Sequence, residues 1–354
     1  MTNINPEMKS LLDYAISQKA SDLHLAVDVA PTIRVDGKLL AIPNLSTLTE
    51  AGIERIVYSL ISPIQKQTLE LKKDLDFSFG YDAMRFRTNI FFEKGSMSAA
   101  FRLITAEIRS IDALGLPPIL EKFTESSQGL VVITGPTGHG KSTTLAALVD
   151  AINSSRAEHI ITIEDPIEYL FTHKKSIICQ REVGSDAISF NRALRASLRE
   201  DPNVILVGEM RDLESVEATL TLAETGHLVF TTLHTNSAAQ TPDRIIDVFP
   251  PHQQTQIRIQ LANVLLGVVS QRLLPKIGGG RVIACEIMMA SSAVRSLIRE
   301  DKTHQLTNVI QTSASEGMIA LDKVLAELVN KGDITLDDAL SWCLDQKSFK
   351  MMVY

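Results

Sequence analysis

Between residues 129 and 233, short apolar runs alternate with longer stretches whose apolar positions recur at helical spacing. The runs at 130–134, 160–163, 204–207 and 228–232 predict strands, and helices are expected to begin near Lys141, Phe190 and Asp212. That rhythm implies βαβ units around a mostly parallel sheet, an α/β fold. The first hundred residues have a different, mixed α/β texture. Residues 32–39 set Asp36-Gly37 between two alternating segments, a hairpin signal. Residues 84–90 also alternate, sending Arg85, Arg87 and Asn89 to one face and Met84, Phe86 and Ile90 to the other. A connector containing Leu116-Pro117-Pro118 marks a domain boundary. Beyond Pro251 the chain is expected to turn helical. There Ile257, Leu261, Val264, Leu265 and Val268 form one apolar stripe, a core-packing pattern. Further amphipathic segments lie near 293–300, 321–330 and 336–344.

A length of 354 residues suggests two domains, and 45% apolar with 22% charged residues is ordinary globular composition. Thirty-five basic against 42 acidic side chains give a net charge of −7, which lends no support to a general nucleic-acid coat. Cys179, Cys285 and Cys343 are far apart and form no Cys-x-x-Cys pair. A disulfide framework and a cysteine-rich zinc site are therefore not expected, and a reducing compartment fits. The opening Met1-Thr2-Asn3-Ile4-Asn5-Pro6-Glu7 has no basic segment leading into an apolar run, so no signal peptide is expected. The longest apolar stretches, such as 261–269 with Asn263 and Gly267 inside, are too short for a membrane helix. The expectation is a soluble, cytoplasmic protein.

The strongest chemical signal is Gly135-Pro136-Thr137-Gly138-His139-Gly140-Lys141-Ser142, which fits G-x-x-x-x-G-K-[ST] between an apolar strand and a helix. Glycines let the backbone wind tightly so that successive N–H groups face phosphates at a helix N-terminus, whose dipole favours anions. These eight residues and Thr143 are the expected nucleotide-binding set, for ATP or GTP. Lys141 would charge-pair the β- and γ-phosphates and Ser142 would ligate Mg²⁺. His139, in a variable loop position, is expected to point outward.

Two acidic segments accompany the loop. Residues 204–207 lead into Gly208-Glu209, as in a Walker B strand, with a glycine where many such enzymes place a Mg²⁺-directing aspartate. Glu209 is thereby free to act as general base toward the attacking water. Glu164-Asp165-Pro166-Ile167-Glu168 ends the strand after the loop's helix, so Glu164 would lie near the phosphates and could hold Mg²⁺ through water. A plain loop cluster is the alternative. His227 and His234 bracket the 228–233 strand and could both reach its edge, either as γ-phosphate sensors or as structural residues.

In this order, the motifs resemble the secretion ATPase superfamily of type II secretion and type IV pili. The resemblance covers nearly the whole chain: Ala20-Ser21-Asp22-Leu23-His24-Leu25, Arg85-Phe86-Arg87, the loop itself, an Asp box at 163–168, a Walker B at 208–212, and a His box from Thr225-Gly226-His227 to His234-Thr235-Asn236. Ala293-Val294-Arg295-Ser296-Leu297-Ile298-Arg299-Glu300 is similar to the A-I-R-N-L-I-R-E segment of the retraction motors, departing at Val294 and Ser296. The paired-cysteine zinc motif usual in pilus-assembly ATPases is absent. By pattern alone this segment is an amphipathic helix, with Arg295 and Arg299 on one face.

The resemblance implies an N-terminal PAS-like α+β domain (1–106), a linker (107–128), a RecA-like P-loop ATPase core (129–290) and a helical C-terminal extension (291–354). It implies a homo-hexamer using ATP and Mg²⁺ to retract type IV pili in twitching motility, peripheral at the inner membrane. The expected partners are the pilus platform protein and a retraction ATPase paralogue, with no nucleic acid. Arg85, Arg87 and Arg102 are implied phosphate contacts, from the same or a neighbouring subunit. Three other readings stay open. One is a RecA-like nucleic-acid translocase using Arg181, Arg192, Arg195, Arg199 and Arg211, against which 5% aromatic residues weigh. The others are a non-hydrolysing member of a mixed ring and the ATPase of a related secretion or DNA-uptake machine.

Overall fold

The computed structural model describes residues 4–35, 37–82, 84–104 and 107–353. The opening 1–3, Asp36 of the expected hairpin and the expected domain end at 106 lie outside the described residues. The chain divides into two compact units, Met1–Glu107 with Glu168–Leu170, and Ile108–Ile167 with Phe171–Tyr354.

The smaller unit starts with α1 (Pro6–Ser17), capped by the Asn5 side chain, which accepts from Glu7 N. Strands β1 (Asp22–Leu25), β2 (Thr32–Val35) and β3 (Lys38–Ala41) come next, then α2 (Glu50–Tyr58) and α3 (Pro63–Lys72). Strands β4 (Asp74–Tyr81), β5 (Met84–Glu93) and β6 (Ser96–Ile104) complete an antiparallel sheet of order β3-β2-β1-β6-β5-β4. Val35 pairs with Lys38, so β2 and β3 form the expected hairpin. On β5, Phe86 and Ile90 are buried with Met8, Leu12, Ile53 and Phe101, while Arg87 is exposed.

The larger unit is built on a seven-stranded sheet of order β13-β12-β7-β11-β10-β8-β9. After α4 (Glu121–Glu125) its elements run β7 (Gly129–Thr134), α5 (Lys141–Ser155), β8 (His159–Glu164), β9 (Ile177–Glu182), α6 (Phe190–Ser197), β10 (Val204–Val207), α7 (Leu213–Glu224) and β11 (Leu228–Leu233). Next come α8 (Thr241–Ile246), α9 (Pro251–Val264), β12 (Leu265–Pro275) and β13 (Arg281–Met289). Helices α10 (Ser292–Arg299), α11 (Leu306–Thr312), α12 (Leu321–Asn330), α13 (Leu336–Trp342) and α14 (Gln346–Met352) follow. All pairings are parallel except β12 with β13.

Helices cover both faces of this sheet, which explains why its central strands β7, β10 and β11 are largely apolar on both sides. On one face Leu130, Val132, Ile163 and Val207 pack under α6, α7, α9 and α10 through Leu194, Leu220, Leu261 and Ile298. On the other, Val131, Ile133, Leu206 and Phe230 meet Leu145, Leu148 and Ile152 of α5. Leu116, Leu120 and Phe123, from the segment expected to connect the domains, are buried in that second cluster. The ends of β12 and β13 form a smaller core with α12–α14 through Leu274, Ala284, Leu325 and Phe349. No helix of the described residues is long and apolar enough to cross a membrane.

One expected helix is half strand. Helix α9 ends at Val264, and Leu265 opens β12. All five stripe residues do share one core cluster, but they reach it from a helix and then from a strand. Packing imposes the change. At Gly267 a Cβ would meet the Phe123 ring at 2.6 Å and Met288 O at 2.9 Å, so only a glycine lets the chain pass between β7 and β13 where its register with β7 shifts.

Candidate active site

The carboxyl ends of β7, β8, β10 and β11 converge on one crevice, where ligands bind in open parallel sheets. The 135–140 loop leaves β7 there and opens α5. Gly138 and Gly140 hold φ near +81°, a left-handed conformation that side chains disfavour, and Gly140 is the N-cap of α5. Gly135 passes so close to β12 that a Cβ would collide with Gln271 O. Ser142 and Thr143 sit in the first turn of α5. A buried hydroxyl chain ties the end of β7 to the loop after β11: Thr134 Oγ1 lies 2.7 Å from Thr235 Oγ1, which lies 2.8 Å from Thr241 Oγ1.

Lys141 is buried, 8% exposed, and its ammonium donates to Gly135 O at 2.8 Å and Pro136 O at 3.1 Å. It also lies 3.4 Å from His234 Nδ1, while His234 Nε2 lies 3.1 Å from Glu209 Oε1. One neutral tautomer serves both contacts, with Nε2–H donating to the carboxylate and Nδ1 accepting from the ammonium. The other oxygen of Glu209 accepts from Arg211 Nε at 2.9 Å, and Arg211 Nη1 is 3.6 Å from Asp165 Oδ2. The Glu209 hydrogen bond raises the Arg211 pKa, so this guanidinium keeps its charge. Lys141, His234, Glu209 and Arg211 thus form one continuous polar chain across the crevice.

Glu164 is buried at the end of β8 and accepts from Thr162 Oγ1 at 2.6 Å. The glycine in the Walker B position has a steric reason. A Cβ on Gly208 would stand 3.2 Å from Ile163 O, closer than an ordinary contact, and would touch Glu164 Cα at 3.5 Å.

The structure separates the two histidines of the His box. His227 stands at the amino end of β11, where its Nδ1 is 2.8 Å from Leu222 O and 3.2 Å from Thr225 Oγ1. Only His234 reaches Lys141, because a strand of this length keeps its ends about 20 Å apart. The expected outward His139 is instead turned in. Leu273 N donates to its Nδ1 at 3.0 Å, and its ring lies against Trp342.

Arg85 and Arg87 on β5 and Arg102 on β6 share one face of the smaller unit's sheet, with Arg87 and Arg102 directly paired. Each has a local partner: Arg85 donates to Ser78 Oγ, Arg87 lies 4.0 Å from Asp76, and Arg102 donates to Asp22 at 3.0 Å. The basic cluster considered for nucleic acid is largely neutralised, with Arg181 on Glu200, Arg195 on Glu214 and Arg211 on Glu209.

In the 293–300 segment, Val294 and Ile298 are buried, and Arg295 and Arg299 part company. Arg295 Nε donates to Ala290 O, Nη1 to Ala262 O and Asn263 O, and Nη2 to Leu265 O. Its guanidinium therefore caps the carboxyl end of α9 at the turn into β12, a role for which a fork of several donors is suited. Arg299 is exposed.

Reasoning from sequence missed Gln271 and Arg272, both buried at the carboxyl half of β12. Gln271 accepts from Thr144 Oγ1 and donates to His139 O, and Arg272 donates to Gln271 O and Asn236 O. A polar pair following the apolar 264–269 run was the available signal, and the helical reading of that run hid it.

A glycine-rich loop of phosphate-binding spacing at the switch point of a mostly parallel sheet, with carboxylates at the carboxyl ends of β10 and β8 in the same crevice, defines a P-loop ATPase. Comparison with known proteins narrows this. Residues 2–279 match the family model described as type II/IV secretion system protein. The chain is 47% identical over 334 residues to a Pseudomonas aeruginosa protein named type IV pilus retractation ATPase PilT, covering 94% of this chain and 97% of that one. It is 46% identical over 311 residues to a Neisseria gonorrhoeae protein named twitching motility protein, covering 87% and 83%. A crystal structure described as the pilus retraction motor PilT and bound ADP superposes with a TM-score of 0.91 at 48% identity, covering 97% of this chain and 98% of that one. The chain belongs to the type II/IV secretion system protein family.

The capping role of Arg295 yields a stability prediction. Arg295→Lys, which keeps the charge but not the fork, should lose about 1–3 kcal/mol by leaving carbonyls unpaired. Arg299→Lys should stay within about 0.5 kcal/mol of the wild type, as for an exposed surface position. Urea denaturation of both variants checks the contrast, and equal loss in the two would refute the capping account.

Proposed function

We propose that the chain is a motor ATPase that hydrolyses ATP to retract type IV pili, supporting twitching motility. The observation that carries this reading is the near full-length likeness to a pilus retraction motor bound to ADP. The site supports it chemically. The loop N–H groups and Lys141 would hold the β- and γ-phosphates. Ser142 and Glu164 offer hydroxyl and carboxylate oxygens, the hard donors Mg²⁺ prefers, with Glu164 serving through water. Mg²⁺ bound there would neutralise phosphate charge. Glu209 orients the attacking water and takes its proton. His234 holds that carboxylate through Nε2 and, through Nδ1, stands where the γ-phosphate's partner Lys141 is.

In this reading the protein works as a homo-hexamer, cytoplasmic and peripheral at the inner membrane. It engages the pilus platform protein, and a paralogous retraction ATPase is a further partner. Arg85, Arg87 and Arg102 contact phosphates from a neighbouring subunit, where an arginine can neutralise transition-state charge.

Glu209→Gln should lower ATP turnover at least ~100-fold with nucleotide binding retained. Cells carrying it in place of the wild type should show excess surface pili without surface motility. Bald cells would reassign the motor to pilus assembly, and near-normal turnover would remove Glu209 as the base.

The arginine role predicts complementation. Rings mixed from Glu209→Gln and Arg87→Ala subunits should recover turnover that neither homogeneous ring has, because some interfaces then combine an intact base with an intact arginine. Mixed rings no more active than the average of the two would rule out a contribution of Arg87 across the interface.

A further inference from the structure

Trp342, the only tryptophan of the chain, lies at the end of α13. One side of it packs on the core of the C-terminal helices. Its other contacts reach the nucleotide loop. The His139 ring meets it in a T-shaped contact, with centroids 5.1 Å apart and planes at 68°. The Arg272 guanidinium stands 5.3 Å from its ring centroid, within cation–π range.

These two residues tie the loop to its surroundings. Leu273 N donates to His139 Nδ1 at 3.0 Å, and the Gln271 amide donates to His139 O at 2.6 Å. Arg272 donates to Gln271 O at 2.9 Å and to Asn236 O, two residues beyond His234. The bond from Leu273 requires a lone pair on Nδ1, so His139 is neutral here. Burial, followed by the charges of Arg272, Lys141 and Arg281, lowers its pKa in the same sense.

We propose that Trp342 is a positioning residue of the nucleotide site: by covering His139 and Arg272 it fixes the 135–140 loop against β12, so that the C-terminal helices set nucleotide affinity. The inference rests on reading that loop as the phosphate site. No hydrogen bond or ion pair links His139 to Glu209 or His234, so loosening it disorders the 135–140 N–H groups that bind phosphate while Lys141, in the first turn of α5, keeps its contact with His234. Removing binding shared by ground and transition states raises KM and spares kcat.

The test uses the full-length protein. In Trp342→Ala, KM for ATP should rise about fivefold or more with kcat within about twofold, and Trp342→Phe, which keeps an aromatic face, should restore most of the affinity. A purely structural role would instead lower thermal stability and reduce kcat by loss of folded enzyme. Independently, wild-type tryptophan emission should change saturably with ADP, because loop and ring are in contact. An unchanged KM in folded Trp342→Ala overturns the proposal. If that variant does not fold, a wild-type emission indifferent to saturating ADP overturns it. Binding of a fluorescent ADP analogue separates the two levels. Failure of the wild type to bind it, or equal binding by Lys141→Ala, would sink the nucleotide site itself. Tight binding with a silent tryptophan and unchanged KM sinks only the role of Trp342.

Discussion

The parallel pairing of β12 with β7 is the constraint on which the nucleotide site depends. It brings Gln271 up behind the loop, where Gly135 passes with no room for a side chain, and where the Gln271 amide bonds the loop carbonyl at His139 and the helix hydroxyl of Thr144. A glycine-rich loop loses much conformational freedom on ordering. Here the ordering is imposed by a fully buried glutamine from a neighbouring strand rather than by the loop's own residues. Further back, the buried Glu286 carboxyl accepts from Ala238 N–H, and the charge of the buried Arg272 acts on it without a direct ion pair. Burial pushes the Glu286 carboxyl up to about 7, opposed by the Ala238 N–H it accepts and by Arg272. Burying two ionisable groups costs desolvation, and each ties a strand to the loop after β11: Glu286 of β13 through Ala238 N–H, and Arg272 of β12 through Asn236 O.

On the open side of the loop, the same logic of shared partners operates. His234 is held at both ring nitrogens, by a loop lysine and by the proposed base. A shift of Lys141 toward a phosphate is thereby a shift in what His234 accepts, and hence in the support given to Glu209. Arg211 steadies the other carboxylate oxygen. The geometry links the lysine proposed to hold phosphate and the proposed base through a single imidazole.

Much of this was legible in the sequence, for physical reasons. The central strands of the larger unit are apolar on both faces because helices cover both, and the glycines and lysine of the 135–142 motif obey a spacing that phosphate chemistry dictates. The retraction-motor resemblance followed from motifs that each carry such a constraint. Three things were hidden. Residues 264–269 are apolar at spacings that suit either a helix or a buried strand, and only contact with Phe123 and β7 decides between them. With β12 misread, Gln271 and Arg272 could not be placed beside the loop. Flanking one strand also made His227 and His234 look equivalent, although a strand sends its two ends to opposite edges of the sheet. The Arg295 fork was likewise invisible, since periodicity tells which face a residue takes but not which carbonyls lie opposite.

The account's central claim is that Lys141, His234 and Glu209 work as one unit. Steady-state ATP turnover of His234→Ala, Glu209→Gln and their double variant measures it most directly. The account predicts a loss of about 10- to 100-fold for His234→Ala alone and a double variant no slower than Glu209→Gln by more than about twofold. Losses that multiply in the double variant would show His234 acting independently of Glu209, and would contradict it.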